Sequence, residues 1–228
     1  MKLGGLIPFT LVDFPGKPAA SVFAAGCNLR CPFCHNPDLV IGSGSLSLQE
    51  VLDFLKNRVG KLQGVCVSGG EPTLMPGLEG FLEQIKELGF AIKLDTNGTA
   101  PQVLYRLLEK GLVDYTAVDV KSSPAKYSAA CGAKVDPALI RESVRLLQGF
   151  GVSYELRTTA VPGLVELSDI YAIGEWFGQV QRYALQQFRP GKTLDREYGM
   201  LEPHGPGWFI QATAAAYAWA DEVIVRGV

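Results

Sequence analysis

The chain has 228 residues, 47% of them apolar and 19% charged, with Lys and Arg totalling 21 against 23 Asp and Glu. That composition supplies a substantial core and excludes a disordered or fibrous chain. A net charge of −2 gives no electrostatic ground for binding nucleic acid or an anionic membrane surface.

The N-terminal stretch 3–12 is apolar, but Pro8 interrupts it and Asp13 and Lys17 follow at once. It reads as a short extension over 1–18 rather than a secretion signal. No apolar run reaches the length of a membrane span. The five cysteines are odd in number and three are clustered, which predicts metal ligation in a reducing, cytoplasmic setting. Apolar runs suited to strands then recur at 21–24, 65–68, 91–95, 115–120, 153–159 and 184–188, and 223–225 can add an edge strand. Between them fall amphipathic helices. Ser47 and Glu50 form a capping box before Leu48, Val51, Leu52 and Leu55. Leu78, Phe81, Leu82 and Ile85 define the next helix, Pro101 opens the third, and Asp136-Pro137 starts the fourth. Ile170, Ile173 and Phe177 mark the fifth, and residues 208–219 the sixth. Trp176, Trp208 and Trp219 fall at helical spacing and read as core.

Six strand–helix repeats predict a parallel sheet with right-handed crossovers, as one domain over 1–228. Six units are too few for a closed eight-fold barrel. The expected fold is therefore α/β, a partial (βα)6 barrel open on one side. Its polar residues collect after the strands, at the carboxyl ends where such folds place their sites.

The strongest signal is Cys27-Asn28-Leu29-Arg30-Cys31-Pro32-Phe33-Cys34, a C-x3-C-x2-C loop within 26–36. One short loop can wrap three thiolates around a metal centre, and thiolates suit iron–sulfur clusters, zinc and copper(I). A [4Fe–4S] cluster normally takes four cysteines, so three would leave one iron open to an external ligand. Structural zinc also fits the spacing, with a fourth ligand still to be found among His35, Cys66 and Cys131. Asn28 can order this loop through bonds to backbone, and Arg30 can bring positive charge near it. Further candidates are Gly69, Gly70 and Glu71 after the second strand, and Asp95, Thr96 and Asn97 after the third. Asp119 and Lys121 follow the fourth. Residues 157–159 and 187–191 rank below these as possible lining for the site, and His204 reads as a loop residue.

Taken in order, C-N-L-R-C-P-F-C-H-N, G-G-E-P, D-T-N-G and D-V-K resemble the motifs of the radical S-adenosylmethionine (SAM) superfamily, in its glycyl radical enzyme activase branch. The opening Gly4-Gly5-Leu6, the run from Val12 to Lys17, and Asn36-Pro37-Asp38 are similar to the anaerobic ribonucleoside-triphosphate reductase activating proteins. That resemblance implies a [4Fe–4S] cluster on Cys27, Cys31 and Cys34, with SAM as second cofactor. It implies Gly69, Gly70 and Glu71 at the SAM amine and Lys121 at its carboxylate. Asp95, Thr96 and Asp119 would form a monovalent-cation site beside SAM. The reaction implied is SAM cleavage to a 5′-deoxyadenosyl radical that takes hydrogen from a glycine of a partner. The partner would be the anaerobic reductase, and the electron donor a flavodoxin or ferredoxin. Two alternatives stand beside this. Short 7-carboxy-7-deazaguanine synthases share the chemistry but carry Cys-Asp-Thr where this chain has Cys34-His35-Asn36. A non-catalytic metal-binding interaction module would have no use for a SAM pocket.

Overall fold

In the computed structural model, which describes residues 3–42 and 44–228, one twisted sheet of eight strands runs through the molecule in the order of the chain. The strands are β1 (Leu3–Thr10), β2 (Ala19–Ala24), β3 (Gly64–Gly69), β4 (Ala91–Thr96), β5 (Tyr115–Asp119), β6 (Ser153–Ala160), β7 (Val180–Gln187) and β8 (Ala220–Arg226). β2 to β8 pair in parallel, and β1 pairs antiparallel with β2. The sheet order ends at β1 and β8, so the barrel stays open. Helices α1 (Pro37–Ile41), α2 (Leu48–Lys56), α3 (Leu78–Glu87), α4 (Pro101–Glu109), α5 (Tyr127–Cys131), α6 (Pro137–Phe150), α7 (Leu167–Phe177) and α8 (Pro206–Ala216) lie between them. Six strand–helix units and a last parallel strand reproduce the expected (βα)6 arrangement. No helix among the described residues is long and apolar enough to cross a membrane.

The expected helix starts appear with their bonds. Ser47 accepts from the Glu50 N–H at 3.2 Å while Glu50 accepts from the Ser47 N–H at 2.8 Å, so the capping box satisfies two orphan donors. Asp136 accepts from the Ala138 N–H before Pro137 at the first turn of α6. Apolar faces of these helices close over the buried strands, with Val51, Leu55, Phe81, Ile85, Leu104, Val144 and Ile173 fully enclosed.

The N-terminal extension is more ordered than its sequence suggests, because residues 3–10 form a strand. Pro8 is tolerated because β1 lies at the edge of the sheet and the register slips between Ile7 and Thr10. The short α5 is a further element beyond the expected helices. It ends in Gly132, whose φ of +57° lies in the left-handed region and whose missing Cβ would overlap the Arg30 carbonyl oxygen. The Arg30 N–H in turn donates to the Cys131 carbonyl at 2.8 Å. α5 therefore buttresses the cysteine loop from behind. Gly132→Ala is expected to cost about 2 kcal/mol from backbone strain and overlap, lowering the melting temperature by roughly 4–8 °C. An unchanged melting temperature would show that the buttress bears no load.

Candidate active site

The carboxyl ends of β2 to β7 surround a cleft of about 240 Å³. The three cysteines and the candidates after the second, third and fourth strands all line it except Glu71, whereas of 157–159 and 187–191 only Arg157 and Thr159 do. The three cysteines of the loop enter from β2, Gly69 and Gly70 from β3, Asp95 to Asn97 from β4, and Asp119 and Lys121 from β5. Arg157, Thr159 and Gln186 complete it from β6 and β7.

The cysteine loop is held on all sides. Asn28 bonds side chains rather than backbone: its Oδ1 accepts from Asn97 Nδ2 and its Nδ2 donates to Thr99 Oγ1, both at 2.9 Å. This ties the loop to the end of β4. Arg30 curls back, and its Nη1 donates to the carbonyls of Cys27 and Leu29 at 2.7 and 2.8 Å. The guanidinium braces the turn rather than standing free. From the other side, residues beyond β7 donate to the loop: Leu194 N–H to the Cys34 carbonyl at 3.0 Å, and Asp195 N–H to that of Pro32 at 2.9 Å. His35 stacks on Phe188 and sets its Nδ1 3.3 Å from the Lys192 carbonyl. Residues 187–191 thus lead into a strap across the loop, which the sequence placed only as possible lining. His204 lies apart from the loop, its Nε2 2.9 Å from the Val165 carbonyl and its ring stacked on Trp208.

Gly70 faces the first residues of the loop. A Cβ there would overlap the Gly26 carbonyl oxygen, to which the Glu71 N–H donates at 2.8 Å. Glu71 itself turns inward and is fully buried. Its carboxylate accepts from the Thr73 N–H and hydroxyl, the Thr96 hydroxyl at 2.7 Å and the Asn97 N–H at 2.6 Å. Burial pushes its carboxyl up, and these donors pull it back. The carboxylate thereby joins the β3 and β4 loops.

At the floor of the cleft lies an ionic lattice that the sequence did not reveal. Lys93, 2% exposed, pairs with Asp95. Arg157 spans the two acids, with Nη1 3.2 Å from Asp95 Oδ2 and Nε 2.6 Å from Asp119 Oδ1. Lys121 Nζ lies 2.9 Å from Asp119 Oδ2. Burial is the largest single influence and works to raise both carboxyls, but Arg157 and Lys93 together at Asp95, and Arg157 and Lys121 together at Asp119, overcome it, so both sit below the usual range. Burial likewise works to lower Lys121, yet Asp119 and Cys31 hold it above its ordinary value. A lysine two residues before Asp95 in an apolar strand was the available clue, since i and i+2 share a face.

The thiols are not alike. Burial pushes Cys27 and Cys34 up. Cys31 is pulled down to about 7, first by a hydrogen bond with the Cys131 thiol against the effect of burial, and then by Lys121. Cys131 is therefore the neighbour behind Cys31 rather than a remote thiol, while Cys66 is buried in β3 near Lys93. Among the described residues no three His, Cys, Asp or Glu side chains gather as ligands of a single metal ion. Zinc needs its ligands gathered around one ion, whereas a [4Fe–4S] cluster takes each thiolate on a different iron. The donor set fits the cluster: three thiols of one braced loop facing a cleft, with a lysine beside them.

The sequence pattern described as "Radical SAM superfamily" matches residues 21–172. A Methanocaldococcus jannaschii protein provisionally named as a glycyl-radical enzyme activating enzyme is 31% identical over 99% of this chain and 96% of its own. The pyruvate formate-lyase-activating enzyme of Streptococcus mutans is 30% identical over 89% of this chain and 84% of its own. Matches to 7-carboxy-7-deazaguanine synthases cover about half of each chain. Among solved structures, Streptococcus suis SuiB bound to S-adenosylmethionine superimposes with a TM-score of 0.71 at 13% identity, over 90% of this chain and 49% of that one. The chain spans about half of SuiB, and at that identity the likeness shows the fold. The chain belongs to the radical SAM superfamily, and its near full-length relatives place it with the glycyl-radical enzyme activating enzymes. The family's cofactors are a [4Fe–4S] cluster and SAM.

Proposed function

We propose that this chain activates a glycyl radical protein, with Cys27, Cys31 and Cys34 holding the cluster and the cleft beside them binding SAM. The observation that carries the reading is the match, over nearly its whole length, to a relative named for that activity. When bound, the cluster and SAM together supply one-electron cleavage of SAM to methionine and a 5′-deoxyadenosyl radical, which takes a hydrogen atom from the substrate. The chain's own residues bind and orient. Lys121, fixed by Asp119, donates to the SAM carboxylate. The backbone of Gly69 and Gly70 meets the ammonium group, since the Glu71 carboxylate is engaged elsewhere. Leu29, Phe33 and Val40 present an apolar wall that keeps water from the reacting atoms.

The partner we assign is an anaerobic ribonucleoside-triphosphate reductase, supported by the Gly4-Gly5-Leu6 and Asn36-Pro37-Asp38 signatures, with a flavodoxin or ferredoxin as electron donor. The synthase reading is weaker because its matches stop at half the chain and its Cys-Asp-Thr is absent here. Protein reconstituted with iron and sulfide, reduced anaerobically and given SAM, is expected to release 5′-deoxyadenosine. A glycyl radical signal should appear only when the reductase is added. SAM cleavage coupled instead to a small heterocyclic substrate would overturn the activase assignment. Bound zinc with no iron cluster would overturn the radical chemistry as well.

Lys121→Ala tests the SAM pocket separately. Loss of a charge-assisted hydrogen bond is worth about 1.5–3 kcal/mol, so SAM affinity is expected to fall roughly 10- to 100-fold. Iron content should be unchanged. Wild-type affinity in this variant would remove Lys121 from the SAM site.

A further inference from the structure

The monovalent cation expected between Asp95, Thr96 and Asp119 does not suit the geometry. All four carboxylate oxygens already have partners from the chain. Asp95 Oδ1 takes Lys93, and its Oδ2 takes Ser68 Oγ at 3.0 Å and Arg157 at 3.2 Å. Asp119 Oδ1 takes Arg157 at 2.6 Å and its Oδ2 takes Lys121 at 2.9 Å. The third expected ligand, the Thr96 hydroxyl, donates to Glu71 and accepts from the Gly98 N–H at 3.1 Å. An oxygen-bound cation needs several free lone pairs on one point, and here each carboxylate oxygen is already met by a cationic side chain of the chain itself. Charge also opposes it, because Lys93, Lys121 and Arg157 set three positive groups against two carboxylates.

The backbone explains why Arg157 fills this place. Its Cα stands opposite that of Asp119 in the β5–β6 register, and β4 with Asp95 is the next strand over. The side chain is 16% exposed and reaches both acids. A guanidinium offers donors in a fixed fork, so one group can bond two carboxylates at once and hold their spacing.

We infer that Arg157 is a built-in counter-ion standing where a monovalent cation would otherwise be needed, so that SAM binds here without sodium or potassium. It acts as a positioning residue: it fixes Asp119, Asp119 fixes Lys121, and Lys121 meets the SAM carboxylate. The inference rests on the reading of this cleft as the SAM site.

The test uses the reconstituted holoenzyme. SAM affinity is measured calorimetrically in potassium, sodium and choline chloride at equal ionic strength, choline being too large to enter between two carboxylates. The EPR spectrum of the reduced cluster with SAM is recorded in each salt. Wild-type affinity is expected to vary by less than about twofold at constant screening, with one EPR spectrum throughout. Arg157→Gln should bind SAM about tenfold more weakly in choline, the loss of one charge-assisted contact, and recover in potassium or sodium. Arg157→Lys should keep the salt-independent behaviour. A merely structural arginine would give a loss in Arg157→Gln that no salt relieves, and that result overturns the inference. So does a wild-type affinity that climbs with potassium, which needs no folded variant to be seen. A wild type that binds no SAM in any salt overturns the SAM-site reading itself, a different failure.

Discussion

Changing any one of Cys27, Cys31 or Cys34 to Ala is expected to abolish SAM cleavage and to strip most of the iron and labile sulfide from the reconstituted protein. No other group in the cleft can replace a lost thiolate. His35 borders the cleft, but its ring is held stacked on Phe188 with Nδ1 at the Lys192 carbonyl. Cys66 lies within β3, fully buried, and burial pushes its thiol well above the ordinary range. Cys131 is the nearest substitute, which makes Cys31→Ala the most demanding of the three variants. Yet the Cys131 carbonyl is fixed by the Arg30 N–H, and Gly132 packs on the Arg30 carbonyl, so the thiol cannot advance without moving the loop it would serve. Iron and sulfide analysis, the visible spectrum and EPR of the reduced protein read the cluster, and 5′-deoxyadenosine release reads the chemistry. Full cleavage in any of the three variants would show that its thiol is no ligand.

The parts of this protein that can be read from its sequence are those written locally. Strand and helix periods, the Ser47 cap and the order of the motifs lie within short stretches, and the alternation of elements fixes where strand ends converge. The meeting of Asp95, Asp119 and Lys121 in one cleft is therefore legible in the sequence. What stayed hidden depends on pairing across the sheet. Residues 3–10 carry two glycines and a proline, poor strand formers, and become a strand because β2 offers an edge. Glu71 is a lone acid beside two glycines in the sequence, and only the fold brings the Thr96 and Asn97 donors onto its carboxylate. Arg157 and Lys93 are single cations in unrelated segments until β4, β5 and β6 align them. Cys131 was remote along the chain, and α5 folds it behind Cys31.

Lys93→Met is expected to be the most damaging single change outside the cysteine loop. Methionine keeps the length and apolar stem of the side chain, so it isolates the charge. Lys93 is 2% exposed, pairs with Asp95, and carries its ammonium 6.0 Å from the Tyr115 ring centroid. Removing one partner of a buried pair leaves the other desolvated and incompletely matched, at a cost of about 3–5 kcal/mol. Ser68 and Arg157 still reach Asp95, which points to the lower end, and a loss of about 3 kcal/mol lowers the melting temperature by roughly 6–12 °C. The pH dependence separates this from a simple packing defect. Burial acts to raise the Asp95 carboxyl, but Arg157 and Lys93 together hold it below its ordinary value. A carboxyl depressed in the folded state adds stability above its unfolded pKa of about 3.9, and that stability drains away as pH falls through the folded value. Without Lys93 the folded Asp95 moves up, its contribution shrinks, and acid unfolding begins at a higher pH than in the wild type. Melting curves collected from neutral pH down to pH near 3 on the two proteins measure both effects. A variant that loses stability by the same amount at every pH would assign Lys93 to packing and sever it from the lattice that Asp95, Arg157 and Asp119 build.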